Sequence, residues 1–117
     1  MNDRELLELA ARAAGYAVDC GFADCPLIYG EDAGMDGPRE WNPLTDDGDA
    51  LRLAVKLRME IDHNHPADER AWVSVRTQGE RTCAVEEFDD ESLRAAATRM
   101  AITRAAAEIG KSMGGGE

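Results

Sequence analysis

The segment Trp41-Asn42-Pro43-Leu44-Thr45-Asp46-Asp47-Gly48-Asp49-Ala50-Leu51-Arg52-Leu53-Ala54-Val55-Lys56-Leu57 constrains the fold of this chain more than any other. An aromatic anchor and a proline turn run straight into an acidic helix start and then an apolar helix. Thr45 or Asp46 can cap that helix, which the pattern places at about residues 46–60. Asp46, Asp47 and Asp49 fall in its first turn, where a carboxylate gains roughly 0.3–1 kcal/mol from the helix dipole. Leu51, Leu53, Ala54, Val55, Leu57 and Met59 occupy much of the circumference, which predicts burial on more than one side. Pro43 and Leu44 would set the angle at which the chain enters.

Helical spacing recurs at both ends. Leu6, Leu9, Ala10 and Ala13 predict an amphipathic helix over 3–14, with Asn2 or Asp3 as its cap and Gly15 as its stop. A last helix is predicted from about Asp90 to Gly110, capped by Asp90 or Ser92. Leu93, Ala97, Met100 and Ala107 line one of its faces. Ala95, Ile102, Ala106 and Ile109 line roughly the opposite one. Two apolar faces require two layers of the same chain or a second subunit.

Between the helices the period shortens to two. Tyr16-Ala17-Val18 and Leu27-Ile28-Tyr29 read as short strands joined by the turn-rich Asp19–Pro26. Gly30 to Pro38 holds three glycines and a proline, too many for regular structure. Asp62–Asp68 reads as a polar turn. Trp72–Thr77 and Thr82–Glu86 alternate around Gly79 and predict a hairpin, with Val73, Val75, Cys83 and Val85 as its buried face. The order α-β-β-α-β-β-α describes an α+β domain: three helices packed on a small antiparallel sheet. Residues 1–113 are expected to form one domain, with 114–117 a loose glycine-rich tail.

Three parts of the chain resemble a family. The W-N-P-L-T-D-D-G-D-A-L-R-L-A-V-K-L run of residues 41–57 is similar to a signature of small bacteriophage and prophage proteins. Asp3–Ala10 looks like their first helix, and Ala96–Gly110 like their last. The resemblance covers about half the chain. It implies an origin and brings no activity, ligand or cofactor with it.

Composition narrows the function. Aromatic residues make up only 5% of the chain, so the core must be built from Ala, Leu, Val and Met with closely packed helices. The formal net charge is −11, which repels nucleic acid and anionic lipid and favours a basic partner. Direct nucleic-acid or membrane contact is therefore not expected. Asn2-Asp3-Arg4-Glu5 shows no signal-peptide pattern and no stretch approaches a membrane span, which predicts the cytoplasm of a bacterial host. Three cysteines, an odd number, predict free thiols.

Candidate chemistry is thin. Cys20, Cys25, Cys83, His63 and His65 are possible zinc ligands, but no C-x-x-C pair organises them. Asp46-Asp47-Gly48-Asp49 lacks the alternating ligands, central glycine and closing glutamate of a calcium loop. Cys20 or Cys25 with either histidine forms no recognisable nucleophile motif. The chain is therefore expected to be non-enzymatic, with no catalytic residue, metal or cofactor.

Two acidic runs remain. Asp46, Asp47 and Asp49 form one; Glu86, Glu87, Asp89, Asp90 and Glu91 form the other, around Phe88. Together they would present a negative face to Arg or Lys of a partner. Trp41 and Trp72 read first as core or edge anchors. Tyr29, Met35 and Trp41 flank the 30–38 loop, and Met35 or Trp41 would supply an apolar hot spot. The leading expectation is a phage-derived protein that binds and inhibits a host, defence-related protein by steric masking or nucleic-acid mimicry. That is an anti-CRISPR-like role, assigned by analogy with small acidic phage proteins. A rival is an oligomer, joined through Ile102 and Ile109 of the last helix, that sequesters a nucleotide signal with Arg76, Arg81 or Arg99. A third is a structural or regulatory phage component.

Overall fold

The computed structural model describes residues 2–19, 27–29, 39–77 and 82–113. Helix α1 (Asp3–Ala14) starts where the sequence places it. The Asn2 side chain accepts the Glu5 N–H at 2.8 Å, closing one of the open amides of the first turn. Gly15, at φ 76°, ends the helix in the left-handed conformation that glycine adopts freely. The N–H groups of Gly15 and Tyr16 turn back onto the carbonyls of Arg12 and Ala11.

Three short strands follow, β1 (Ala17–Asp19), β2 (Leu27–Tyr29) and β3 (Arg39–Glu40). They form an antiparallel sheet in chain order, with Val18 opposite Ile28 and Ile28 opposite Arg39. The first strand sits one residue later than the sequence suggested, and the two-residue third strand had no signal of its own.

Helix α2 (Asp47–Lys56) is capped by Asp46, whose carboxylate accepts the Asp49 N–H at 2.8 Å. It is shorter than predicted. Arg58 adopts φ 53°, and the N–H groups of Arg58 and Met59 return to the carbonyls of Val55 and Ala54. The chain thus leaves the helix through a left-handed turn and enters β4 (Glu60–His63), part of a segment the sequence suggested was turn. Burial is also one-sided: Asp49, Ala50, Leu53 and Ala54 are buried, while Leu51 and Val55 are 61% and 68% exposed.

Strand β4 pairs with β5 (Ala71–Arg76), and β5 with β6 (Cys83–Phe88), to give a second antiparallel sheet. A 3₁₀ turn (Glu91–Leu93) capped by Asp90 leads into α3 (Arg94–Met113). The α+β class and the predicted succession of helices and strand groups are the observed ones, with β3 and β4 added and the single expected sheet resolved into two three-stranded sheets.

The second sheet's phase differs from expectation on one strand. Val73 and Val75 are fully buried as predicted. Cys83 and Val85 are exposed instead, because Cys83 pairs with Arg76 and Val85 with Ser74 in the outward rows. Ala84, Glu86 and Phe88 take the inward rows of β6. A one-residue difference in phase moves a strand's whole side-chain set to the other face.

The core is one cluster drawn from α1, β2, α2, β5 and α3, and it is rich in alanine. Ala10, Ala11 and Ala14 of α1 lie with Ala101, Ala105 and Ala106 of α3. Gly110 is not a helix stop; it lies within α3 against the backbone of Leu9. Trp41 is 1% exposed, with its ring edge-on to Tyr16 at 5.4 Å. Ile102 is 3% exposed within the single chain, so this helix finds its second layer in its own fold. An interface through Ile102 has no free surface to use; Ile109 is half-buried.

Candidate functional site

The first acidic run is split: Asp49 is turned inward, while Asp46 and Asp47 are exposed. Asp49 is buried, and its two oxygens collect three donors into one knot. Oδ1 accepts from Arg39 and from Arg52, each at 2.9 Å, and Oδ2 accepts the Asn42 N–H at 3.0 Å. Burial pushes the Asp49 carboxyl up, but the Asn42 amide and the two guanidinium groups outweigh it and hold the pKa below the usual 3.8. Asp46 is the helix cap. Asp47 meets Arg99 of α3 at 2.6 Å, and the same guanidinium donates to the Leu44 carbonyl at 2.9 Å. The Asn42 side chain accepts the Leu44 N–H at 3.0 Å. The run from 41 to 49 is thus a folding device, and neither Trp41 nor Asp49 is available to a partner. Met35 lies outside the described residues.

The second run behaves differently. Glu86 faces inward and meets Arg104 at 2.5 Å. Asp90 caps the 3₁₀ turn, and the Ser92 amide and hydroxyl hold its carboxyl below the usual range. Glu91 takes the Arg94 guanidinium at two oxygens, 2.7 and 2.9 Å, which lowers the Glu91 pKa and raises that of Arg94. Glu87 and Asp89 are exposed, and Glu87 pairs only with the outer-lying Arg70 among the described contacts.

The two runs do not merge. They meet α3 through Arg99 and Arg104, five residues and so about 140° apart around the helix. They flank α3 on different sides.

What the second run does border is an open sheet face. Strand pairing sends Trp72, Ser74 and Arg76 of β5, Cys83, Val85 and Glu87 of β6, and Glu60 and Asp62 of β4 to the side away from α3. Arg76 reaches Glu60 at 3.1 Å and Asp62 at 3.6 Å on this face. Val85 is 54% exposed, and Trp72 is half-buried. A depression of about 680 Å³ has Trp72, Ser74 and Val85 as its floor and Asp68, Glu69 and Glu87 at its rim. A second, of about 570 Å³, opens on the other side of the 64–70 turn and shares Asp68 and Glu69 with the first.

Arg94 holds that turn in place. It donates to the Asn64 side chain at 2.7 Å and the Trp72 carbonyl at 3.3 Å, lies 2.9 Å from His63 Nδ1, and stacks 4.7 Å from the Phe88 ring. Asn64 in turn accepts the Trp72 N–H at 3.1 Å, and Asp68 accepts the His65 N–H at 3.1 Å. The rim is therefore built on a braced loop.

The other candidate ligands do not gather. His63 belongs to the Arg94 network, and His65 Nδ1 accepts the Ala67 N–H. Cys83 stands alone on the open face beside Ser74, while Cys20, Cys25 and Arg81 lie outside the described residues. Among the described residues no three His, Cys, Asp or Glu side chains are placed to hold a metal. Arg76 is on the open face and Arg99 is on Asp47 and Leu44, so these two of the arginines suggested for nucleotide capture do not converge.

Asp68, Glu69, Arg70, Val85 and Arg94 were missed as site residues from sequence. A signal existed: outward Trp72 and Ser74 could have been set against Val85 and Glu87 had the hairpin register been known.

No helix among the described residues is long and apolar enough to cross a membrane. No protein-family model, curated protein or solved structure matches the chain.

Proposed function

We propose that this chain is a non-enzymatic, phage- or prophage-derived protein that works in the bacterial cytoplasm. It binds a basic surface of a host defence protein and masks it. The observation that carries this reading is the pairing of half-buried Trp72 and exposed Val85 with outward carboxylates on an open sheet face. Partner-binding surfaces characteristically join an aromatic anchor to a polar rim. The net charge of −11 supports a positively charged partner and favours fast, salt-sensitive association. The acids that serve this role are Glu87, Asp89 and Glu91, together with Asp68 and Glu69. Asp49 holds the fold and Asp46 caps α2.

Plating efficiency tests the proposal. Bacteria carrying a nuclease-based defence system would express the chain and be challenged with a phage that the system restricts. Restored plaques are expected, and they should be lost when Asp68, Glu69 and Glu87 are changed together to lysine. Unchanged restriction across the nuclease-based systems would overturn the reading.

A further inference from the structure

We infer that the 680 Å³ depression on the second sheet is the seat of an arginine side chain presented by the partner protein. The inference rests on the binding function proposed above and specifies its chemistry.

The floor and the rim ask for different things of one occupant. The half-buried Trp72 indole lines the depression, and exposed Val85 adds methyl surface beside it. Around them stand three carboxylates, Asp68, Glu69 and Glu87, against the single guanidinium of Arg70. A flat, delocalised cation satisfies both, stacking on the indole while its N–H fork reaches a carboxylate. A lysine ammonium is more strongly hydrated and presents no plane to stack. Phosphate is repelled by the rim, which removes nucleic acid as the occupant. A second copy of the chain would bring the same three acids face to face across a two-fold axis, so self-association is opposed as well.

The molecule already shows the rim accepting a guanidinium. Arg70 pairs with Glu87 from a side chain that is 76% exposed, and so can swing clear. A partner arginine would take the same carboxylate from the indole side. Arg70 then acts as an internal competitor, and its removal should strengthen binding.

The test uses the full chain, labelled with ¹⁵N, and two probe peptides of equal charge. One carries three arginines spaced by glycine, the other three lysines. The arginine peptide is expected to move the Trp72 indole N–H and the amides of 68–74 and 85–87, and the lysine peptide to bind more weakly. Changing Glu69→Gln and Glu87→Gln together should weaken the arginine peptide by about tenfold, and Arg70→Gln should tighten it. Trp72→Phe keeps an apolar floor and guards against loss of folding. Equal binding of the two peptides, shifts centred on 46–49, or no shifts at all would overturn the assignment.

The two proposals separate cleanly. Phage protection without arginine binding in the depression leaves the masking function standing and removes this seat. Arginine binding without protection does the reverse.

Discussion

Gly110 lies so close to Leu9 that a Cβ built on it would overlap the Leu9 carbonyl group, 2.7 Å from its carbon. The obstacle is backbone, which cannot swing aside. Gly110→Ala must therefore push α3 away from α1 along a contact lined by alanines. Overpacking of this kind costs about 1–3 kcal/mol. We expect the variant to show a lower urea midpoint with an unchanged slope, whereas Ala substitution at Gly48, which faces the flexible end of Arg52, should cost far less.

Asp49→Ala should be among the most damaging single changes. It leaves Arg39 and the Asn42 amide without their buried acceptor. Both guanidinium groups keep access to water, so the main penalty is the unsatisfied Asn42 amide, about 1–3 kcal/mol. Equilibrium denaturation measures the loss. Asp47→Ala touches only an 82% exposed carboxylate and should fall within about 1 kcal/mol of the parent.

Acid should weaken the fold in a defined direction. Asp49 has a folded pKa below its unfolded value of 3.8, so the unfolded chain binds the proton first as pH falls. Its contribution is complete above the unfolded value and disappears as pH drops through the folded one. Asp90 and Glu91 shift the same way. Thermal midpoints should be flat towards neutrality and fall below about pH 4. Asp49→Asn should lower the midpoint at neutral pH and flatten that acid slope.

Arg58 holds a left-handed conformation without being glycine. That conformation costs an ordinary residue about 1–2 kcal/mol, of which glycine's extra chain entropy gives back about 0.5–1 kcal/mol. Arg58→Gly should therefore stabilise the protein by about 0.5 kcal/mol. A rise in the urea midpoint checks it; a fall would mean the Arg58 side chain contributes packing.

The two tryptophans should separate spectroscopically. Trp41 is 1% exposed and Trp72 borders an open depression. Acrylamide should quench the parent strongly and the Trp72→Phe variant hardly at all. Equal quenching would contradict the burial assigned to Trp41.

The fold was legible where local signals were complete. Asn2 and Gly15 bracket α1, and Asp46 opens α2, because caps are written in residue types whose side chains or backbone freedom do the work. The end of α2 was hidden because its left-handed stop is an arginine, and Leu57 and Met59 continue the apolar run past it. Strand β4 was hidden because an edge strand with acids facing water and only Ile61 half-buried reads as a turn.

The site was less legible than the fold. Trp41 and Trp72 are the same residue type beside similar acids, and only tertiary pairing sends one inward and the other out. The phase of β6 depends on register across the hairpin, and its inward Glu86 is tolerated because Arg104 comes from α3, 18 residues along. The two-faced α3 was read correctly as needing two layers, while which chain supplies the second depends on contacts with α1.

The knot around Asp49 is also local in sequence. Its partners, Arg39, Asn42, Asp46 and Arg52, all lie within residues 39–52. Two chains sharing that stretch would share a scaffold, while the open face on the second sheet could be rewritten without disturbing it. Kinship traced through the stretch would then group molecules by how they are built, and each could have been fitted to a different target.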